Sequence, residues 1–188
     1  NNARNQLIDQ RRMSGELEFF KAKSNFDPLT KVYNRNVFEE VVHQHFASAG
    51  KRSLSLGLVM LDIDNFKQVN DTYGHLKGDQ VLIELAALLR TSIREDDFPI
   101  RYGGEEFALV FCGGSFEQAV QFAENLRTTI GNLVLRDTRS GERLSGITVS
   151  IGIAARHRGE TAEQLLGRAD TALYQAKESG RNRVCSAS

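Results

Sequence analysis

With 188 residues, 40% of them apolar and 26% charged, the chain is long enough for one globular domain and an appendage. Its 24 Lys and Arg balance its 24 Asp and Glu, so no overall basic field recruits long nucleic acid or an anionic membrane, and any phosphate binding must be local. No stretch approaches the roughly 20 apolar residues of a membrane span and no secretory leader is apparent. Cys112 and Cys185 lack metal-ligand spacing, which predicts two buried thiols in a reducing compartment.

Residues 1–25 scatter Leu7, Ile8, Met13, Leu17 and Phe20 at roughly helical spacing and predict a helical stalk, either a coiled coil or a helix packed on its own domain. The chain opens on Asn1 rather than Met, as a piece cut from a longer protein with an upstream domain would. Pro28 biases Asp27 away from helix and sets a boundary between the stalk and a globular domain over 26–188. A helix is predicted from Asn34 to about Ala49, with Val37, Phe38, Val41, Val42 and Phe46 on its apolar face. The nearly continuous apolar run from Leu54 to Ile63 predicts a central strand. A short helix over Phe66–Tyr73, a break at Gly74–His75 and a long helix from Gly78 to about Ser92 follow.

Phe98–Ile100 and Phe107–Phe111 read as two strands of a hairpin whose tip is Arg101-Tyr102-Gly103-Gly104-Glu105-Glu106. Gly103-Gly104 between apolar runs predicts a two-residue turn with positive φ. A helix over Ser115–Ile130 comes next, then strands over Leu133–Arg136 and Leu144–Ala155 joined around Ser140-Gly141. A last helix is predicted over Ala162–Glu178 and a short strand at Val184-Cys185. Helices and strands alternate without a strict parallel rhythm, which predicts an α+β domain with one central antiparallel or mixed sheet flanked by helices.

Asp62 and Asp64 stand at i and i+2 at the end of the buried strand and so share a face. Carboxylates at such a place need a cation or another partner, so the pair reads either as part of a divalent-metal site with Glu105 or as caps for the helix that follows. Successive strand residues face opposite ways, so Glu105 and Glu106 cannot do the same job. Lys67, Lys177 and Arg181 are either phosphate clamps or, for the last two, cations at a helix C-terminus. Asn70 and Asp79 flank a turn and either cap helices or read guanine, whose N1–H and amino donors suit a carboxylate.

Several motifs occur in order: Asp27-Pro28-Leu29-Thr30, Leu61-Asp62-Ile63-Asp64-Asn65-Phe66-Lys67, Gly74-His75 with Gly78-Asp79, and Gly103-Gly104-Glu105-Glu106-Phe107. Val149-Ser150-Ile151-Gly152, Ala172-Leu173-Tyr174 and Gly180-Arg181-Asn182 complete the series. Over about 160 residues the chain resembles the GGDEF-domain diguanylate cyclases, which make cyclic di-GMP from two GTP. That resemblance implies a nucleotide-cyclase or polymerase-palm fold with a ferredoxin-like core. It also implies that Asp62, the carbonyl of Ile63 and Glu105 hold two Mg2+ per half-site, with Mn2+ as a substitute. Glu106 would assist at the metal centre or activate the attacking hydroxyl. By the same likeness Asn70 and Asp79 read guanine, Lys67, Lys177 and Arg181 hold phosphates, and Asn65, Phe66, Gly103 and Gly104 complete the substrate site.

The resemblance further implies a homodimer with one GTP per half-site, a cytoplasmic catalytic domain, and product inhibition by cyclic di-GMP through Arg94 and Asp97 of an R-x-x-D motif. Where some relatives carry a further arginine in the next helix, this chain has Asn125. Two rival classes are a domain that binds GTP or cyclic di-GMP without turnover and a structural dimerisation module. The intact acids favour turnover.

Overall fold

A computed structural model describes residues 25–48, 56–136 and 143–187. The helical stalk expected over 1–25 lies outside the described residues apart from Asn25, as does the turn expected at Ser140-Gly141. In chain order the elements are β1 (Tyr33–Asn34), α1 (Arg35–Ser48), β2 (Leu56–Ile63), α2 (Phe66–Tyr73), α3 (His75–Ser92), β3 (Phe98–Arg101) and β4 (Glu106–Cys112). Then come α4 (Phe116–Gly131), β5 (Leu135–Arg136), β6 (Arg143–Leu144), β7 (Val149–Ala155), α5 (Ala162–Glu178) and β8 (Val184–Ala187).

Six strands form one sheet in the order β1-β3-β4-β2-β7-β8, and β5-β6 form a separate ribbon. The sheet is mixed, because β1 pairs with β3 and β7 with β8 in parallel while the other pairs are antiparallel. Strand β2 lies at its centre, and its alternating side chains divide the core in two. Val59, Leu61 and Ile63 pack with α3 and α4 on one face. Leu58 and Met60 pack with α1 and α5 on the other. Asp62 continues this second row, so the first acid of the motif faces α5. Gly152 of β7 lets α5 come that close: a Cβ there would overlap the backbone N of Leu173 and O of Ala169.

The remaining element boundaries follow from local chemistry. Helices α4 and α5 begin at reciprocal capping boxes, Ser115 with Gln118 and Thr161 with Gln164, each satisfying helix N–H groups that have no partner in the first turn. Gly74, at φ 83 and ψ 158, makes the corner between α2 and α3 alone, so α3 starts at His75 rather than at Gly78. The strand expected from Leu144 to Ala155 is interrupted between Leu144 and Val149, where Gly146 takes φ 78, a conformation that breaks extended pairing. The two-residue β1 was not foreseen. Cys112 and Cys185 are free thiols and only half-buried, less enclosed than expected. Burial and the nearby Asp97 and Asp96 push the Cys112 thiol up to about 11.

Candidate active site

The end of β2, the β3–β4 loop, the last turn of α5 and the start of α2 meet at one edge of the molecule. Asp62 pairs in register with Glu106, and the N–H of Ile63 donates to the carbonyl of Glu105 at 3.4 Å. The two glutamates therefore arrive beside Asp62 by strand pairing. The loop is wider than a two-residue turn: β3 ends at Arg101, β4 starts at Glu106, and the N–H groups of Tyr102 and Gly103 both donate to the carbonyl of Glu106 at 2.8 and 3.1 Å. Neither Gly103 nor Gly104 is among the residues with positive φ. Gly103 instead leaves room for Glu106: a Cβ there would stand 2.6 Å from its Oε2, so the carboxylate would have to swing aside.

Asp62 is only 6% exposed. Burial pushes its carboxyl above the usual range, Lys177 offsets part of this, and Glu106 and Asp64 add repulsion. Lys177 Nζ lies 2.8 Å from Asp62 Oδ2. The helix-terminal lysine thus faces a carboxylate as well as a helix dipole. Glu105 is also held above its ordinary range, by burial and then by Asp62, with Lys177 opposing. Among the described residues no three His, Cys, Asp or Glu side chains form a ready metal cage. What the chain does present is a pair of hard oxygen donors, Asp62 and Glu105, whose charge one lysine does not fully offset. That donor set fits a divalent cation completed by carbonyl, water or phosphate oxygens.

Asp64 behaves differently from Asp62. Its Oδ1 accepts from Ser150 Oγ at 2.6 Å, and its Oδ2 accepts from Thr148 Oγ1 at 2.7 Å and the N–H of Asn182 at 3.0 Å. It therefore ties β2 to β7 and to the loop after α5. Nor does it cap α2, whose N-cap is Asn65 at φ 54 with no side-chain capping bond. The loop that Asp64 anchors presents Arg181, itself at φ 59, and both Arg181 and Lys67 are exposed. At the start of α2, Gln68 and Val69 donate back to Asn65, while buried Phe66 roots the helix in the core.

Asn70 on α2 and Asp79 on α3 are brought together by the corner at Gly74. The side chain of Asn70 lies against Gly78, where an added Cβ would overlap its Oδ1, so the buried glycine places Asn70 beside the residue preceding Asp79. Neither residue is a helix N-cap. Arg94 and Asp97 stand elsewhere. Asp97 is buried, with Oδ2 accepting from the N–H of Arg94 at 3.2 Å and Oδ1 from the N–H of Cys112 at 3.1 Å. Cys112 ends β4, six residues from Glu106, so the motif lies about 20 Å from the acids. Asn125 is on α4 and accepts from Gln121 at 3.0 Å.

Sequence reasoning missed a brace behind the loop. Arg101 Nη1 donates to both oxygens of Asp27 at 3.0 and 3.2 Å, and its Nε and Nη2 donate to the Gly104 carbonyl at 3.2 and 2.8 Å. Tyr102 is held from the other side, under Arg35 at 4.7 Å and edge-on to Phe38 at 5.1 Å. The signal was an arginine immediately before the loop and an acid 74 residues earlier, a pairing that only the fold can make.

Residues 24–183 match the family model described as diguanylate cyclase, GGDEF domain. The chain is 42% identical over 177 residues to diguanylate cyclase VdcA of Vibrio cholerae, covering 92% of this chain and 50% of that protein. It is similar to the coiled coil and GGDEF domain of DgcB from Caulobacter crescentus, solved in complex with c-di-GMP, at 34% identity and a TM-score of 0.91 over 97% of this chain and 96% of that one. Diguanylate cyclase SiaD of Pseudomonas aeruginosa, solved with its activator SiaC, is 36% identical with a TM-score of 0.83, over 97% of this chain and 70% of that one. The chain spans about half the length of VdcA.

Proposed function

The chain belongs to the GGDEF-domain family of diguanylate cyclases, and from that premise we propose that it condenses two GTP into cyclic di-GMP with release of two pyrophosphates. The observation that carries the reading is the crowding of Asp62, Glu105 and Glu106 at the open end of the central strand, where burial and mutual repulsion hold Asp62 and Glu105 above their ordinary range. Acids kept so crowded are ready to be stabilised by a cationic ligand.

Asp62, the Ile63 carbonyl and Glu105 would hold Mg2+, for which Mn2+ could substitute, two per half-site. Such ions would neutralise the triphosphate and polarise the α-phosphorus. Asn70 and Asp79 receive guanine, with the Asp79 carboxylate accepting from the N1–H and amino group. Lys67, Lys177 and Arg181 take phosphates, and Lys177 can exchange Asp62 for a phosphate oxygen when nucleotide enters. Asn65, Phe66, Gly103 and Gly104 shape the backbone around the triphosphate. The 3′-OH of one GTP attacks the α-phosphate of the other: the O3′–P bond forms, the bond to the β-phosphate bridging oxygen breaks, and pyrophosphate departs. Glu106 accepts the hydroxyl proton or assists beside it.

Each domain supplies half of this arrangement, so a homodimer is part of the mechanism. Residues 1–25 would form the stalk that joins two copies and raises the effective concentration of one half-site near the other, in keeping with the coiled coil named for the DgcB structure. Among the described residues no helix is long and apolar enough to cross a membrane. The catalytic domain would work in the cytoplasm, where its GTP is found. Cyclic di-GMP would inhibit through Arg94 and Asp97, the latter setting the loop that carries the former.

Incubating the purified chain with GTP and Mg2+ and resolving the nucleotides by chromatography tests the proposal. Cyclic di-GMP should appear, with a rate per chain that falls on dilution. Absence of the product, or a dilution-independent rate in a protein shown to be monomeric, overturns respectively the activity and the half-site mechanism. Asp79→Asn should lower discrimination of GTP against ATP by about tenfold or more. Undiminished discrimination would remove Asp79 from the guanine site.

A further inference from the structure

The turn after α5 carries a backbone that its neighbours must hold in place. Among the described residues four that are not glycine take positive φ, and two of them, Arg181 at φ 59 and Asn182 at φ 45, are consecutive and follow Gly180 at φ 109. Side chains with a Cβ rarely adopt that conformation. The end of α5 does not require it of them. The N–H of Arg181 donates to the carbonyl of Ala176 at 3.0 Å, the bond that closes a helix when a single left-handed residue, here Gly180, follows it. Further left-handed residues persist only where the surroundings fix them, and such backbone concentrates at functional sites.

Two side chains from distant elements fix Asn182. Asp64, just past the end of β2, accepts its N–H at 3.0 Å through Oδ2. Arg127, on α4, takes both of its oxygens: Nη1 donates to Oδ1 at 2.9 Å and to the carbonyl at 3.4 Å. Nε of the same guanidinium donates to Glu124, one turn earlier on α4, at 2.8 Å, so the arginine is held between its own helix and the turn. On the far side the carbonyl of Arg183 accepts the N–H of Ile151 at 2.9 Å, which brings the chain into the sheet beside β7. Exposed Arg181 therefore stands on a turn secured at both ends. A left-handed asparagine alone is accounted for by the tolerance of its short side chain for that conformation. An arginine on both its oxygens is not.

We infer that Arg127 and Asn182 are positioning residues for the triphosphate. Arg127 holds the Asn182 side chain, Asn182 holds the left-handed turn together with Asp64, and the turn sets the place of Arg181 relative to Asp62 and Glu105. Neither Arg127 nor Asn182 is assigned a contact with substrate. The inference rests on the reading that Arg181 takes a phosphate, and it adds the helix and the residues that hold that arginine in place.

Steady-state synthesis of cyclic di-GMP over a range of GTP, at one protein concentration, tests this, with hydrogen exchange over residues 180–183 as a readout independent of turnover. Arg127→Ala should raise KM for GTP by about fivefold with little change in kcat, and should speed exchange in the turn. Asn182→Gly is the sharper variant, because glycine takes φ 45 without strain. Its melting temperature should hold or rise, yet KM should increase as much as in Arg127→Ala, with no charge altered. The double variant should be no worse than either single one. A parental KM in Asn182→Gly, additive rises in the double variant, or unchanged exchange in Arg127→Ala would overturn the positioning role. Arg181→Ala separates this from the reading beneath it: KM should rise by more, and adding Arg127→Ala should change nothing further. A further rise there would mean that Arg127 acts by another route and would also overturn the role. If Arg181→Ala leaves KM at the parental value, the phosphate reading falls and the positioning role with it. If Arg181→Ala raises KM while Arg127→Ala and Asn182→Gly do not, the phosphate reading stands and the positioning role alone fails. A parent without turnover would fail the activity and this inference together.

Discussion

The Gly103-Gly104 loop separates two regions that treat a carboxylate in opposite ways. Behind it, Asp27 accepts hydrogen bonds from Thr30 N–H and Oγ1 at 2.8 and 2.6 Å and from Arg101. Burial opposes ionisation there, but those donors outweigh it and hold Asp27 below the usual carboxylate range. In front of the loop, Asp62 has Lys177 alone against burial and two neighbouring acids, and its carboxyl is raised. The first region holds the loop and the second is left with unmet charge. Asp64, two residues beyond Asp62, belongs with the first, because Ser150, Thr148 and Asn182 satisfy it. Proximity in sequence therefore says little about role. The donors that the fold delivers decide whether an acid serves as an anchor or remains available to a ligand.

The largest effect should come from the unmet acids. Asp62→Asn and Glu105→Gln should each reduce cyclic di-GMP synthesis by more than about a hundredfold, while the melting temperature stays level or rises, because acid crowding is relieved. Near-parental turnover in either variant would remove that residue from the catalytic centre. Asp64→Ala should do the reverse in kind. It strands two hydroxyls and one N–H, and urea unfolding should show a loss of about 3 kcal/mol. A loss no greater than that of Asp62→Asn would erase the contrast between the two acids.

Arg101→Ala should lie between these two. It removes the link from Asp27 to the Gly104 carbonyl, so turnover should drop by about tenfold through a less well held loop, with a stability loss of about 1–2 kcal/mol. Unchanged kinetics would mean that the brace serves the fold alone.

The smallest effect is a pH dependence of opposite sign in the two regions. Asp62 and Glu105 have raised folded pKa values, so their contribution to stability is complete below the ordinary carboxylate range and is lost as pH rises through the raised values. Asp27 has a lowered one, so its contribution is present above the ordinary range and is lost as pH falls through the lowered value. Melting curves from pH 3 to 8 should therefore show Glu105→Gln losing less stability than the parent on the rising limb and Asp27→Asn losing less on the acid limb. Parallel curves for all three proteins would sink the assignment.

The sequence by itself determined the element types, the α+β class, the central place of β2 and the ordered motifs that carry the family. These depend on local patterns: an unbroken apolar run marks a strand buried on both faces, and helical spacing marks an amphipathic helix. It also placed Asp62, Glu105 and Glu106 at element ends, where side chains can meet a ligand. What it could not decide was which of several nearby acids would be satisfied. The i, i+2 spacing gives Asp62 and Asp64 the same face, but their different partners come from β7, α5 and the loop at Asn182, up to 118 residues away. Likewise the Gly-Gly pair suggested a tight turn, whereas strand pairing that stops at Arg101 and Glu106 made a wider loop and used Gly103 to admit the Glu106 carboxylate. Periodicity determines which face a residue occupies, and only the packed fold supplies the hydrogen-bond donors, cations and steric limits that it meets there.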